Sequence, residues 1–267
     1  MKTIVKILIL CFAANLASAE EASIKGEWKG AYIINAHVTT INFYVNSNDT
    51  EQQILLDVPS KKIYGLEYNL VFKNNELYFK RKNKSDVLIE FKGTLNNNIV
   101  TGSYHYNSEY MKDKPGIFQL MRSSAPIIKG DDLPKFNLAL VDGSTISNKS
   151  FKNKYVMLDF WATWCPPCVA KRPKLEKLYE KYGDQIEIVS ISLDATFEIV
   201  DTFRKEKYPM KWLHSFKPDK MKDPFVKSFV PGGLPYGYLI NPDGKVVAFG
   251  NDLNAGELEE TFERLLN

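Results

Sequence analysis

The sequence predicts two folded units in series: an all-β barrel or sandwich, then an α/β unit with a mixed sheet and helices on both faces. Two patterns carry this expectation. Over residues 23–122, short runs of β-branched and aromatic residues recur between clusters of Asn, Gly, Lys and Asp. From Leu133 onward, apolar runs of strand length alternate with segments of helical spacing. The chain has 267 residues, 44% of them hydrophobic, which is enough for two cores.

Met1 to Ala19 has a basic start, an apolar run from Ile7 to Ala14, and Ala17-Ser18-Ala19 before Glu20. That is the pattern of a cleaved secretory leader, with an uncleaved anchor as the alternative. Cys11 reads as a hydrophobic residue of that leader, because bulky Leu10 precedes it where a lipoprotein needs a small residue. The formal charge of +3 falls to +1 when Lys2 and Lys6 leave with the leader, a balance that gives no support to nucleic-acid binding.

Within 23–122 the strand signals are Tyr32–Ile34, Ile41–Val45, Ile54–Leu56, Leu70–Phe72, Leu77–Phe79, Val87–Phe91, Ile99–Thr101 and Ile117–Leu120. Short strands at this spacing favour an antiparallel barrel or sandwich. Residues 123–132, with Ser, Pro, Gly and two Asp, read as a linker. In 133–267, Phe136–Val141 and Thr145-Ile146 suggest a lead-in hairpin, Tyr155–Phe160 a buried strand, and Leu175, Leu178, Tyr179 and Tyr182 a helix ending at Gly183. Ile186–Leu193 is the next strand and Phe197–Lys207 the next helix. A strand and a short helix are expected between Lys211 and Phe229. Tyr236–Ile240 and Val246–Gly250 form a hairpin, and Glu257–Leu266 a closing helix.

Without the leader only Cys165 and Cys168 remain, separated by Pro166 and Pro167. A secreted domain held together by disulfides carries more cysteines, so this pair is chemical rather than structural. Half a zinc site is the disfavoured alternative, because no second cysteine pair exists and His37, His105 and His214 are scattered. Proline is favoured in the first turn of a helix, which places Cys165 at the helix N-terminus. There, unpaired amides and the helix dipole favour a thiolate, making Cys165 the expected nucleophile. Cys168, one turn further in, is the expected resolving thiol. It needs a base, and Asp159, a carboxylate on an otherwise apolar strand, is the candidate; burial predicts a raised pKa for it.

Asp159-Phe160-Trp161-Ala162-Thr163-Trp164, the Cys165 to Cys168 centre and Pro173 closely resemble the thioredoxin superfamily, in particular secreted reductases of the TlpA/ResA kind. Gly233-Leu234-Pro235 resembles that family's cis-proline loop, and Asn241 to Lys245 its hairpin turn. The resemblance covers Leu133 to the C-terminus and implies a thioredoxin fold there. It implies a cis peptide before Pro235, substrate contacts from Leu234, Pro235 and Trp164, and a helix kink at Pro173. It implies no cofactor beyond the redox-active Cys165-Cys168 pair, protein disulfides as substrates, a membrane thiol as electron donor and a periplasmic setting. Pro166-Pro167 between the cysteines resembles reducing members that serve cytochrome c maturation.

Lys171 departs from the family, where several members carry a glutamate. Lys171 and Arg172 are expected near the thiols, favouring thiolate and attracting acidic partners. Gly26 to Gly30, with glycine and aromatic punctuation later, weakly resembles a lipocalin-like β-module. Two rival readings remain. A peroxiredoxin-type peroxidase is disfavoured because Ala162, not a hydroxyl residue, stands three before Cys165. The other is a binding protein using the thioredoxin unit as scaffold.

Overall fold

A computed structural model of the chain describes residues 23–83, 85–107, 115–151 and 153–267. The expected leader, with Cys11, lies outside the described residues.

Each of the eight strand signals becomes a strand: β1 (Gly26–Ile34), β2 (His37–Val45), β3 (Glu51–Val58), β4 (Ile63–Lys73), β5 (Glu76–Lys82), β6 (Leu88–Asn96), β7 (Ile99–Asn107) and β8 (Gly116–Arg122). They pair in sequence order, and β1 pairs with β8 to close a barrel, which removes the sandwich alternative. Two-residue turns made of Asn35-Ala36 and Asn74-Asn75 have positive φ at both positions, the geometry whose twist matches a hairpin. Closure also depends on Gly30, where a Cβ would fall 1.9 Å from the Gln119 carbonyl oxygen of β8.

Inward residues alternate with outward ones, as in β8, and the inward set mixes aromatic rings with aliphatic side chains. Phe79 stacks on Phe91 at 4.5 Å and meets Phe43 edge-on at 4.5 Å. The cavity left inside is about 20 Å³. The lipocalin-like resemblance therefore extends to the up-and-down strand order and stops there, because side chains fill the space a ligand would take.

The second unit opens with the hairpin β9 (Asn137–Ala139) and β10 (Thr145–Ser147). It continues with β11 (Tyr155–Trp161), α1 (Pro166–Tyr182), β12 (Ile186–Ser192), α2 (Phe197–Glu206), β13 (Leu213–Phe216), α3 (Pro224–Phe229), β14 (Tyr236–Ile240), β15 (Val246–Phe249) and α4 (Leu258–Leu266). The sheet order is β13-β12-β11-β14-β15, parallel from β13 to β11 and antiparallel from β11 to β15. This is the expected thioredoxin arrangement. Gly183 ends α1 as expected, though in a right-handed rather than a left-handed conformation.

Because β11 is central, its side chains feed two cores. Val156, Leu158 and Phe160 face one with α3 and the hairpin. Met157 and Trp161 face the other with α1, α2 and α4. The period of two puts Asp159 on the α1 side, among apolar residues.

Residues 123–132 are not a free tether. Ile127 and Ile128 join the core of Leu158 and Phe160. Lys129 is buried, with Nζ 2.5 Å from Asp57 Oδ2 on β3. The segment then runs beside β15: Gly130 N donates to Val246 O, Val246 N to Asp131 O, and Leu133 N to Gly244 O. At the opposite edge, Val141 N donates to His214 O of β13. Tyr44 of β2 packs edge-on against Phe249 of β15 at 6.2 Å, so the barrel meets the sheet by an apolar contact and the connecting segment by an ion pair.

Candidate active site

β11 ends at Trp161, and the chain turns through Ala162, Thr163 and Trp164 into α1. Asp194, buried just past β12, holds this turn: Thr163 N donates to its Oδ2 at 3.1 Å and Thr163 Oγ1 to its Oδ1 at 2.7 Å. Ser192 Oγ donates to the same carboxylate at 2.7 Å. Cys165 N then donates to Ala162 O, which fixes the approach to the cysteine.

Cys165 is the N-cap of α1, as expected, and is joined to Cys168 by an S–S bond of 2.04 Å. Pro166 and Pro167 occupy the first two helical positions and carry no N–H. The first helical amide is therefore that of Cys168, so the helix end offers Cys165 fewer amides than an N-terminus normally does. Trp164 is 59% exposed, whereas both cysteines are almost wholly buried. Pro173 lies inside α1 and cannot donate to the Val169 carbonyl one turn back.

The Leu234-Pro235 peptide is cis. Leu234 packs against the cluster that holds Cys165 and Cys168 as well as against the opposite core, so the loop reaches the dithiol side of the sheet. Gly237, two residues on, allows β14 to lie close to β11: a Cβ there would stand 2.9 Å from Leu158 O.

Asp159 differs from expectation. It is fully buried, with Lys171 Nζ 2.6 Å from Oδ1 and Arg172 Nη2 2.7 Å from Oδ2, and Ser190 Oγ also donates to Oδ2 at 3.0 Å. Burial alone would raise its pKa, but the Arg172 and Lys171 charges and their hydrogen bonds outweigh that and hold it down at about 2. Taking a proton from an ordinary thiol would then run uphill by about six pKa units. Lys171 and Arg172 differ from expectation as well. They are 1% and 0% exposed, so they present no charge to an acidic partner. Arg172 lies over the Trp161 ring at 4.7 Å, and its Nε donates to the Cys168 carbonyl at 3.1 Å.

The sequence reading missed Asp194, Ser190, Ser192 and Trp212, whose Nε1 donates to Ser190 Oγ at 2.9 Å. A signal for three of them was present. Ser190, Ser192 and Asp194 alternate along an apolar strand and just past its end, the pattern that drew notice to Asp159.

His214 is a buried core residue stacked on Trp212, with Nε2 2.8 Å from Met210 O, and among the described residues no cluster could hold a metal ion. Burial pushes its pKa down to about 4. A histidine that resists protonation only when folded leaves stability untouched above about 6.5 and lowers it as the pH falls toward about 4. The expected loss across that window is on the order of 3 kcal/mol. Urea denaturation of wild type and His214→Gln at several pH values checks this; a wild-type midpoint that stays flat through the window refutes it.

The chain matches the model of the AhpC/TSA family over residues 129–249. It is 39% identical over 123 residues to the thiol-disulfide oxidoreductase ResA of Oceanobacillus iheyensis, covering 44% of this chain and 62% of that one. It is 33% identical over 138 residues to ResA of Bacillus thuringiensis subsp. konkukian, covering 51% of this chain and 76% of that one. Among solved structures, the thioredoxin domain of a thiol-disulfide oxidoreductase from Bacteroides vulgatus is 29% identical, with a TM-score of 0.46, 53% of this chain and 99% of that one covered. A thiol:disulfide interchange protein from Bacteroides sp. is 29% identical, with a TM-score of 0.47 and coverage of 53% and 92%. The chain spans less than two thirds of the first ResA and about three quarters of the second. With the thioredoxin arrangement and the Cys165-Cys168 pair in place, that second match makes the chain a member of the ResA-like thiol-disulfide oxidoreductases.

Proposed function

We propose that the protein is an extracytoplasmic reductase of protein disulfides. The observation that carries this reading is the Cys165-Cys168 pair at the start of α1, flanked by exposed Trp164 and by the cis-proline loop at Leu234-Pro235. The Cys165 thiolate attacks one sulfur of a substrate disulfide and the other sulfur leaves as a thiolate. Cys168 then attacks Cys165 Sγ, breaking the mixed disulfide. The substrate departs with two electrons and two protons gained, and the dithiol is left oxidised. Trp164 offers a flat apolar surface beside the nucleophile, and the backbone of Leu234 offers hydrogen-bonding groups to an extended substrate chain.

A thiol donor at the membrane restores the dithiol, and maturation of c-type cytochromes is a process that needs such a reductant. The peroxidase alternative has less support. Ala162 stands three before Cys165, and the nearby hydroxyl of Thr163 is committed to Asp194. The binding-scaffold alternative is weakened by the filled barrel interior.

Equilibrating the Cys165/Cys168 couple with glutathione tests the direction. A reductase is expected at a potential below roughly −200 mV, with turnover of insulin disulfides. A potential near about −120 mV, the range of strong oxidants, would overturn the reductive reading.

A further inference from the structure

In the proposed exchange Cys168 must ionise inside a core. Asp159 is poorly placed to help, being committed to two cations. The charge count of that cluster points elsewhere. Arg172 makes the many-sided contact: Asp159 Oδ2 at 2.7 Å, Ser190 Oγ at 3.3 Å, the Cys168 carbonyl at 3.1 Å and the Trp161 ring face. A guanidinium keeps its proton under all relevant conditions, so Asp159 and Arg172 form a closed, neutral pair. Lys171 is then a surplus cation, with Nζ on the remaining oxygen of Asp159.

No other described group cancels that surplus. On β13, His214 is neutral at ordinary pH, and Arg204 of α2 adds positive charge behind it. On α4, Glu259 is half exposed and 3.6 Å from Lys174. On β12, Glu187 lies toward the far end of α1, hydrogen-bonded to Tyr179.

Lys171 follows Cys168 by three residues on α1, the spacing that brings two side chains onto one helix face with Cβ atoms about 5–6 Å apart. Both side chains are buried. A buried cluster of two cations around one carboxylate and a buried thiol that must lose a proton relieve each other when the thiol ionises. We propose that Lys171 is a positioning residue that supplies the counter-charge to the Cys168 thiolate, easing the ionisation for which the sequence offers Asp159 as base. This rests on the thiol-disulfide exchange proposed above. Burial already pushes the Lys171 pKa below its ordinary value, the cost that a neighbouring thiolate would offset.

In the step itself, the Cys168 Sγ–Cys165 Sγ bond forms and the bond from Cys165 Sγ to the substrate sulfur breaks. The electron pair leaves on the substrate thiolate. That thiolate takes up, through solvent, the proton that Cys168 gave up. Lys171 keeps its proton throughout.

The test uses the full chain in reduced form, with Lys171→Met and Lys171→Arg. Lys171→Met leaves the neutral Asp159-Arg172 pair intact, so it removes charge without stranding a buried ion. Two quantities are read: the thiolate absorbance of the reduced pair against pH, and the release rate of a preformed mixed disulfide on Cys165 against pH. Lys171→Met is expected to raise the Cys168 pKa by about one unit or more and to slow release about tenfold near neutral pH. The rate should recover as the pH is raised, and the first attack by Cys165 should be nearly unchanged. Lys171→Arg, which keeps the charge, should follow wild type. A folded Lys171→Met with a wild-type pH profile overturns the proposal, as does Lys171→Arg behaving like Lys171→Met. If wild type itself exchanges no disulfide, the proposed function has failed and not this inference.

Discussion

Cys168→Ala is expected to stall on its substrates, accumulating mixed disulfides on Cys165 that wild type releases. Cys165→Ala is expected to trap nothing and to lose exchange by ~10³-fold or more, because the nucleophile itself is gone. The asymmetry follows from position. Cys165 is the N-cap beside exposed Trp164, whereas Cys168 is a helical residue with no exposed surface. Non-reducing gels of extracts incubated with each variant and quenched in acid make the comparison. Equal trapping by the two variants would mean that either sulfur can be reached by substrate, and the assignment of roles would fall.

Asp159→Asn is expected to cost about 3–5 kcal/mol of folding stability, the largest effect of any substitution near the site outside the dithiol. It leaves Lys171 and Arg172 as two cations in a core with no anion, and breaking a buried pair by removing one partner is costly for that reason. The linkage has a defined sign. Asp159 titrates at about 2 when folded against 3.8 in its reference state. Its contribution is therefore complete above about 4 and is lost as the pH falls toward about 2, to the extent of roughly 2 kcal/mol. Urea titrations at neutral pH and in that acid window should show a large deficit for the variant when neutral and a narrower gap when acid. A neutral-pH deficit under about 1 kcal/mol would show that the cations find other partners or stay hydrated.

The parts legible in the sequence are those whose cause is local. Cys165, Pro166, Pro167 and Cys168 declare a helix start because proline's restraints act within one turn. Asp159 stands out because a carboxylate is anomalous on Tyr155–Trp161. The eight barrel strands are visible as alternating runs, but the closure of the barrel is not, since Trp28 meets Arg122 only across the whole unit. Lys171 and Arg172 are read as charges near the thiols that also attract acidic partners, and that second role fails because their burial comes from Asp159 on another element. The segment around Ile127-Ile128 looks like a linker for a similar reason: two apolar residues are too few to show a period, and their anchoring depends on the distant cores they enter.

The segment beside β15 also bears on how molecules of this protein meet one another. A five-stranded open sheet ends in two rows of unpaired amides and carbonyls, a template on which a second chain can add a strand. Here residues 130–133 lie along β15 and Val141 reaches β13, so each outer strand already gives some of its ladder bonds to this chain. At β15, Asp132 also pairs as a bridge with Lys245, and their charges meet at 2.8 Å on the rim. Strand exchange between copies would have to displace bonds already made, which guards the protein against edge-to-edge association.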